Sequence, residues 1–203
     1  MVTEIIFDLE TKKLFQDIST NNPADLGVSI VSVYKRTLDE NYNEISGEMV
    51  SFWEEDFSKM WPFFSNVDRI IGFNSLGFDV PALVPLCPYN FKKLIHFDMM
   101  DEIKKVLGFR LSLNALATET IGHTKIDVGT NAPIYWRQGT TESLDKLKTY
   151  CEADVIVTKE LYDYSLKYGV VKYKDKWNTP RMVEIDFSYP IKSKVISDQI
   201  SLF

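Results

Sequence analysis

Ile5-Ile6-Phe7-Asp8-Leu9-Glu10 is the stretch on which the fold turns. Residues 2–9 alternate and close on consecutive large apolar side chains, the pattern of a strand buried in a sheet, and the strand runs straight into carboxylates. With a side-chain repeat of two residues, Asp8 and Glu10 leave the backbone on the same side, so both can converge on one site.

Working outward, Gly27–Tyr34 alternates apolar and polar residues with β-branched types, and Glu48–Trp53 reads as a third strand, so the chain begins as a meander. Glu54–Phe64 has helical spacing. Arg69–Phe73 is a short apolar run, a buried strand ending at Asn74, and Pro81–Leu86 suggests a short helix opened by its proline. His96–Leu107 carries apolar residues at helical intervals and closes at Gly108, and Leu111–Ile121 closes at Gly122. Residues 123–140, with Gly129, Pro133 and Gly139, read mostly as loop. Thr141–Tyr168 is a long helix, capped around Thr141 and Ser143 and ended by Gly169, with Leu147, Tyr150, Cys151, Val155, Leu161 and Tyr162 on one face. Two alternating segments, Val170–Tyr173 and Met182–Phe187, then predict a β-hairpin appendage. Strands first, then a strand alternating with helices, predict a mixed α/β sheet flanked by helices, with its strand order left open.

The 203 residues fit one domain, and 45% apolar with 26% charged composition is that of a folded chain. No apolar run approaches the roughly 18 residues of a membrane span, and Met1-Val2-Thr3-Glu4 lacks a secretory layout, so a cytoplasmic protein is expected; a monomer is also expected. Cys87 and Cys151 have no metal-type spacing and are read as reduced thiols, which excludes a disulfide framework. The net charge of −6 argues against a grip on long nucleic acid by phosphate neutralisation alone. That charge is uneven: residues 167–203 hold seven basic against four acidic side chains, net +3, which leaves −9 for residues 1–166.

Four acids stand out by context. Asp8 and Glu10 end the buried strand, Asp79 follows a second apolar strand and its loop, and Asp154 sits inside the apolar face of the long helix. Taken singly, each has a plainer reading as a turn, a cap or a solvent-facing residue. Together they read as hard oxygen ligands of the kind Mg²⁺ and Mn²⁺ select, because acids buried without a partner are costly. Asp98 and Asp101 begin a helix and are assigned to capping.

Three segments then resemble a known set. Phe7-Asp8-Leu9-Glu10-Thr11, Asn74-Ser75-Leu76-Gly77-Phe78-Asp79 and Tyr150-Cys151-Glu152-Ala153-Asp154 are similar to the three motifs of the DEDD superfamily of 3′-to-5′ exonucleases, an RNase H-like fold. The likeness extends over most of residues 3–168 and points to YprB-like predicted exonucleases and to the proofreading domains of family B DNA polymerases. It implies a nuclease domain over residues 1–168, a hairpin over 169–190 and a tail over 191–203. It also implies two divalent ions, Mg²⁺ or Mn²⁺. Asp8 would bridge them, Glu10 and Asp154 would join it around the first, and Asp79 would serve the second, partly through water. Tyr150, four residues before Asp154, implies the tyrosine subtype and would orient the attacking water. The histidine subtype would need His where Thr149 stands, so His96 and His123 are read as loop or structural residues. Leu9 and Thr11 would touch the terminal nucleotide, Asn74 would help hold the strand, and Phe78 would pack beneath it; plain core packing is the competing reading for Leu9 and Phe78.

Gln199-Ile200-Ser201-Leu202-Phe203, at the end of a Lys-containing tether, resembles the bacterial sliding-clamp binding peptide, against the plainer reading of an apolar end that folds back. The resemblance implies an enzyme acting on the 3′ end of DNA. RNA trimming, or a noncatalytic nucleic-acid-binding module, are the alternatives.

Overall fold

The alternation at the N-terminus forms the centre of the sheet in the computed structural model, which describes residues 1–123 and 131–186. β1 (Val2–Thr11) pairs antiparallel with β2 (Val28–Leu38), and β2 pairs antiparallel with β3 (Glu44–Trp53). On its other side β1 runs parallel to β4 (Arg69–Gly72), which is parallel to β5 (His96–Asp98). The order is β3-β2-β1-β4-β5. A central strand has both faces covered, which is why Ile5, Ile6 and Phe7 are all large and apolar. Ile5, Phe7 and Leu9 enter one cluster with Val31, Val33, Phe64 and Phe91, while Ile6 packs on the opposite face with Ile71, Val155 and Tyr162. Both layers of the expected α/β fold are therefore present.

Several elements differ from the sequence reading. The segment from His96 opens with three residues of strand, and the helix, α3 (Met99–Leu107), begins only where the Asp98 carboxylate accepts hydrogen bonds from Met100 N and Asp101 N. Residues 54–64 form one turn of α-helix, α1 (Phe57–Met60), between two 3₁₀ turns rather than a continuous helix. The helix expected at Pro81 starts two residues earlier, as α2 (Asp79–Leu83). Part of the expected loop is helical: α5 (Ala132–Gln138) carries Pro133 in its first turn, a position that needs no amide donor. Its Trp136 ring stacks on Trp53 at 6.2 Å and so seats α5 on the end of β3.

α4 (Leu113–Ile121) and α6 (Thr141–Tyr168) follow the expected periodicity, and Gly108, Gly122 and Gly169 close α3, α4 and α6 in the left-handed conformation that glycine adopts without strain. The N-cap of α6 is Thr140, whose hydroxyl accepts from Ser143 N at 3.2 Å. The hairpin β6 (Val170–Lys174) with β7 (Pro180–Glu184) is a separate two-stranded sheet. It does not hang free: Val171, Tyr173, Val183 and Ile185 enter the cluster of Ile6 and Ile71, and Thr120 Oγ1 both accepts from Lys172 N at 2.9 Å and donates to Lys172 O at 3.0 Å. Cys87 and Cys151 are free thiols. Among the described residues no helix is long and apolar enough to cross a membrane.

Candidate active site

Parallel pairing of β1 with β4 covers Glu4↔Arg69, Ile5↔Ile70 and Ile6↔Ile71 and then stops. β1 continues to Thr11, while the chain leaving β4 turns through residues 73–78 and starts α2 at Asp79. The wedge so opened lies at the carboxyl ends of two parallel strands. α6 covers it, running antiparallel to β1: Tyr162 Oη donates to Glu4 Oε1 at 2.9 Å, and Asp154 meets Asp8 and Glu10. The spans agree, since eight helical residues cover about 12 Å and four extended residues about 13 Å.

One carboxylate oxygen from each of Asp8, Glu10 and Asp154 lies within 4.8 Å of the others, and all three residues are half-buried. Asp79 stands outside that triplet, nine-tenths and more buried at the first residue of α2. Burial first, then Asp79, Asp154 and Glu10, push the Asp8 carboxyl well above the ordinary range. Glu10 is raised by burial and by Asp154 and Asp79. Asp79 is pushed up to about 7 by burial and by Asp98, although backbone hydrogen bonds at Asp79 and Leu9 pull the other way. Among the described residues no Lys or Arg forms an ion pair with Asp8, Glu10 or Asp79. Repulsion among acids that no cation relieves, in a set of hard oxygen donors, fits a divalent cation of the Mg²⁺ or Mn²⁺ type.

Tyr150, one turn before Asp154 on α6, is hydrogen-bonded to it. Burial, then Asp154 and Glu10, hold the phenol far above its ordinary value, so it stays protonated and works as a hydrogen-bonding hydroxyl rather than as a base. Cys151, beside it, is fully buried and directs its thiol at Asp8 O, 3.5 Å away, fixing α6 to the strand beneath the acids.

The 73–78 turn is held by a residue assigned only to capping. Asp98 does cap α3, and its two oxygens also accept from Asn74 N and Leu76 N, each at 2.9 Å. Asn74 takes φ +62°, a left-handed conformation asparagine tolerates, and its Oδ1 would lie 2.7 Å from a Cβ placed on Gly77, so a larger residue there would displace the Asn74 side chain.

Of the residues expected at the nucleotide, Leu9 is in the core and Thr11 is buried, its hydroxyl donating to Lys13 O at 2.8 Å. Phe78 is half-buried at the core's edge with its ring 5.9 Å from that of exposed Phe15, and Asn74 is half-buried on the braced turn. Gln199, Ile200, Ser201, Leu202 and Phe203 lie outside the described residues. His96 is structural: its Nε2–H donates to Phe91 O at 2.9 Å, and burial lowers its pKa. His123, in contrast, lines a cleft of about 730 Å³ that opens beside Tyr150 and Asp154, bounded also by Asn114 and Ala117 of α4, Tyr135 of α5 and Lys146 of α6. Sequence reasoning passed over these walls; α4 carried a pattern, but the α5 wall lay in a stretch read as loop.

No match was found among curated proteins. Among solved structures the chain resembles the family B DNA polymerase from the hyperthermophilic archaeon Pyrobaculum calidifontis, at 17% identity and a TM-score of 0.59, over 83% of this chain and 25% of that one. The chain thus spans about a quarter of that polymerase, and the likeness speaks to fold. The RNase_H_2 family model matches residues 5–166, from the strand that bears Asp8 and Glu10 to the helix that bears Tyr150 and Asp154. On the strength of that match the chain belongs to the RNase_H superfamily.

Proposed function

We propose that the protein is a metal-dependent 3′-to-5′ exonuclease that hydrolyses DNA from single-stranded or frayed 3′ ends and releases nucleoside 5′-monophosphates. The observation that carries this reading is the meeting of Asp8, Glu10 and Asp154 within 4.8 Å, where burial and the neighbouring acids raise Asp8 and Glu10 well above the ordinary carboxylate range, beside a protonated Tyr150. Asp8, Glu10 and Asp154 would hold one Mg²⁺ or Mn²⁺, and Asp8 with Asp79, partly through water, a second. Such ions supply an activated water and neutralise charge on the phosphate and the leaving oxygen.

The remaining work falls to side chains of the chain itself. Tyr150 stays protonated, donates its O–H to Asp154 and offers its oxygen lone pairs to a water O–H, which orients that water toward the phosphorus. The turn braced by Asp98 sets Asn74 and Phe78 to hold the terminal nucleotide, with Leu9 and Thr11 forming the floor. Burial of Asp8, Glu10 and Asp79 next to one another disfavours a noncatalytic module, because such acids have a cost without a metal. A ribonuclease would use the same acids and differ in 2′-OH contacts.

Labelled single-stranded DNA, duplex DNA and RNA, incubated with Mg²⁺ or Mn²⁺, test the reading. Wild type should shorten single-stranded DNA from its 3′ end and Asp8→Ala should not; equal degradation by the two proteins refutes the site. The same reading recruits the enzyme to a bacterial sliding clamp through Gln199–Phe203. Deleting those five residues should abolish micromolar-range clamp binding, and retention of binding after deletion rejects that role.

A further inference from the structure

Around the hairpin, three lysines have rings where other lysines of the protein have acids. Lys167 Nζ lies 5.2 Å from the Tyr168 ring centroid, Lys172 Nζ 5.5 Å from that of Tyr164, and Lys176 Nζ 4.4 Å from that of Trp177. Among the described residues none of the three is in an ion pair, whereas Lys105, Lys146, Lys159 and Lys174 each pair with a carboxylate. The rings are not core residues: Tyr168 is 55% and Trp177 73% exposed, and Tyr164 and Tyr168 have centroids 4.6 Å apart. Cation–π contacts at exposed sites are weak, so folding gives little reason to keep aromatic faces in water there.

Position joins this ridge to the cleft. Tyr150, Asp154 and Val157, then Tyr164 and Tyr168, follow steps of three, four and seven along α6 and so share one flank of that helix. The backbone of Lys172 is fastened to Thr120 of α4, one turn beyond Ala117 on the cleft wall. The charge follows the same division, with net +3 over residues 167–203 against −9 before them.

We infer that this ridge of Tyr164, Tyr168, Lys172, Lys176 and Trp177 is a binding track for single-stranded DNA, separate from the acid cluster and holding the strand upstream of its 3′ end. Bases stack on the rings, whose faces accept any sequence, and the lysines meet phosphates. Tyr164 and Tyr168 lie ten and fourteen residues beyond Asp154, about 15 and 21 Å along the helix. At roughly 3.4 Å per stacked nucleotide, the track engages the strand about four to six nucleotides from its end. The choice of DNA as occupant rests on the proposed exonuclease activity.

The test compares the full chain with Tyr168→Ala/Trp177→Ala and with Lys172→Ala/Lys176→Ala. Fluorescence anisotropy in the presence of a chelator reads binding of an oligothymidylate of about 20 nucleotides, and a trinucleotide with Mn²⁺ reads hydrolysis at the site alone. Both variants should bind the long strand about tenfold more weakly and hydrolyse the trinucleotide as wild type does. Unchanged binding of the long strand overturns the track, tighter binding of an RNA of equal length overturns DNA as its occupant, and equal loss on the trinucleotide overturns its separation from the site. If wild type binds the long strand as expected yet leaves the trinucleotide intact, the track stands and the nuclease reading falls.

Discussion

At Glu4 and at Asp8, on the same face of β1 and beneath the same helix, a carboxylate is taken out of water. Glu4 stands in register with Arg36 on β2 and with Arg69 on β4. The Arg36 Nη2–Glu4 Oε2 distance is 2.7 Å, Arg36 Nη1 reaches Asp163 at 2.6 Å, and Tyr162 joins Glu4 to Arg69. Burial lowers the basicity of Arg36, but Glu4 and Asp163 outweigh it and hold the guanidinium above its ordinary value. Asp8 faces Ser32 and Glu10 faces Ile30 in the same ladder, and no β4 residue pairs with β1 past Ile6. Glu4 has its cation built into the neighbouring strand, whereas Asp8 is left facing other acids, as the proposed metal site requires.

That contrast can be broken at either end. The largest effect belongs to Asp8→Asn, which should lower turnover on single-stranded DNA by about 10³-fold while raising the melting temperature of the metal-free protein at pH 8; a lowered melting temperature would make Asp8 a structural acid like Glu4. Glu4→Gln should do the reverse, costing about 3 kcal/mol in chemical denaturation because the fully buried carboxylate that pairs with Arg36 and accepts from Tyr162 is lost, with the folded fraction still cleaving DNA.

Next comes pH. The folded values of Asp8, Glu10 and Asp79 lie above the ordinary carboxylate values, so the metal-free fold binds protons more tightly than the unfolded chain. Its stability is then greatest below about pH 4 to 5 for these groups and is lost as pH rises through the Asp79 value of about 7. Scanning calorimetry should show Mn²⁺ raising the melting temperature by about 5 °C at pH 8 and by far less at pH 5.5; equal gains would place the ion elsewhere. The smallest effect is expected from Tyr150→Phe, about tenfold in kcat with KM and melting temperature near wild type, since the proposed role of the hydroxyl is to orient a water.

The acids were legible because their chemistry is local. A strand of alternating residues that ends in Asp-x-Glu, and an Asp on the apolar face of a helix, stand out without any knowledge of what lies beside them. α6 and the hairpin were legible for a related reason: twenty-eight residues of one period and a two-stranded alternation both exceed the length at which pattern can be read. β5 has three residues, too few to show a period of two before the helical spacing of α3 takes over. α5 was hidden by Pro133 and Gly139, a proline in the first turn and a glycine cap that bound a helix as readily as they mark a loop. The partners of Glu4 were invisible because they depend on register, which connects residues 32 and 65 positions apart. Asp98 shows the same limit: its cap is local and legible, while its hold on Asn74 and Leu76 crosses from one strand end to another.

The Arg36–Glu4 pair also works as an error check during assembly. A slip of one residue between β1 and β2 would place Glu4 opposite the wrong neighbour, turn Asp8 and Glu10 toward the Phe7 side of the sheet, and separate the buried Glu4 carboxylate from Arg36. Misaligned chains are thus penalised at the end of the strand remote from the acid cluster, and the relative placement of the cluster's oxygens is inherited from a proofread alignment rather than enforced where the acids meet.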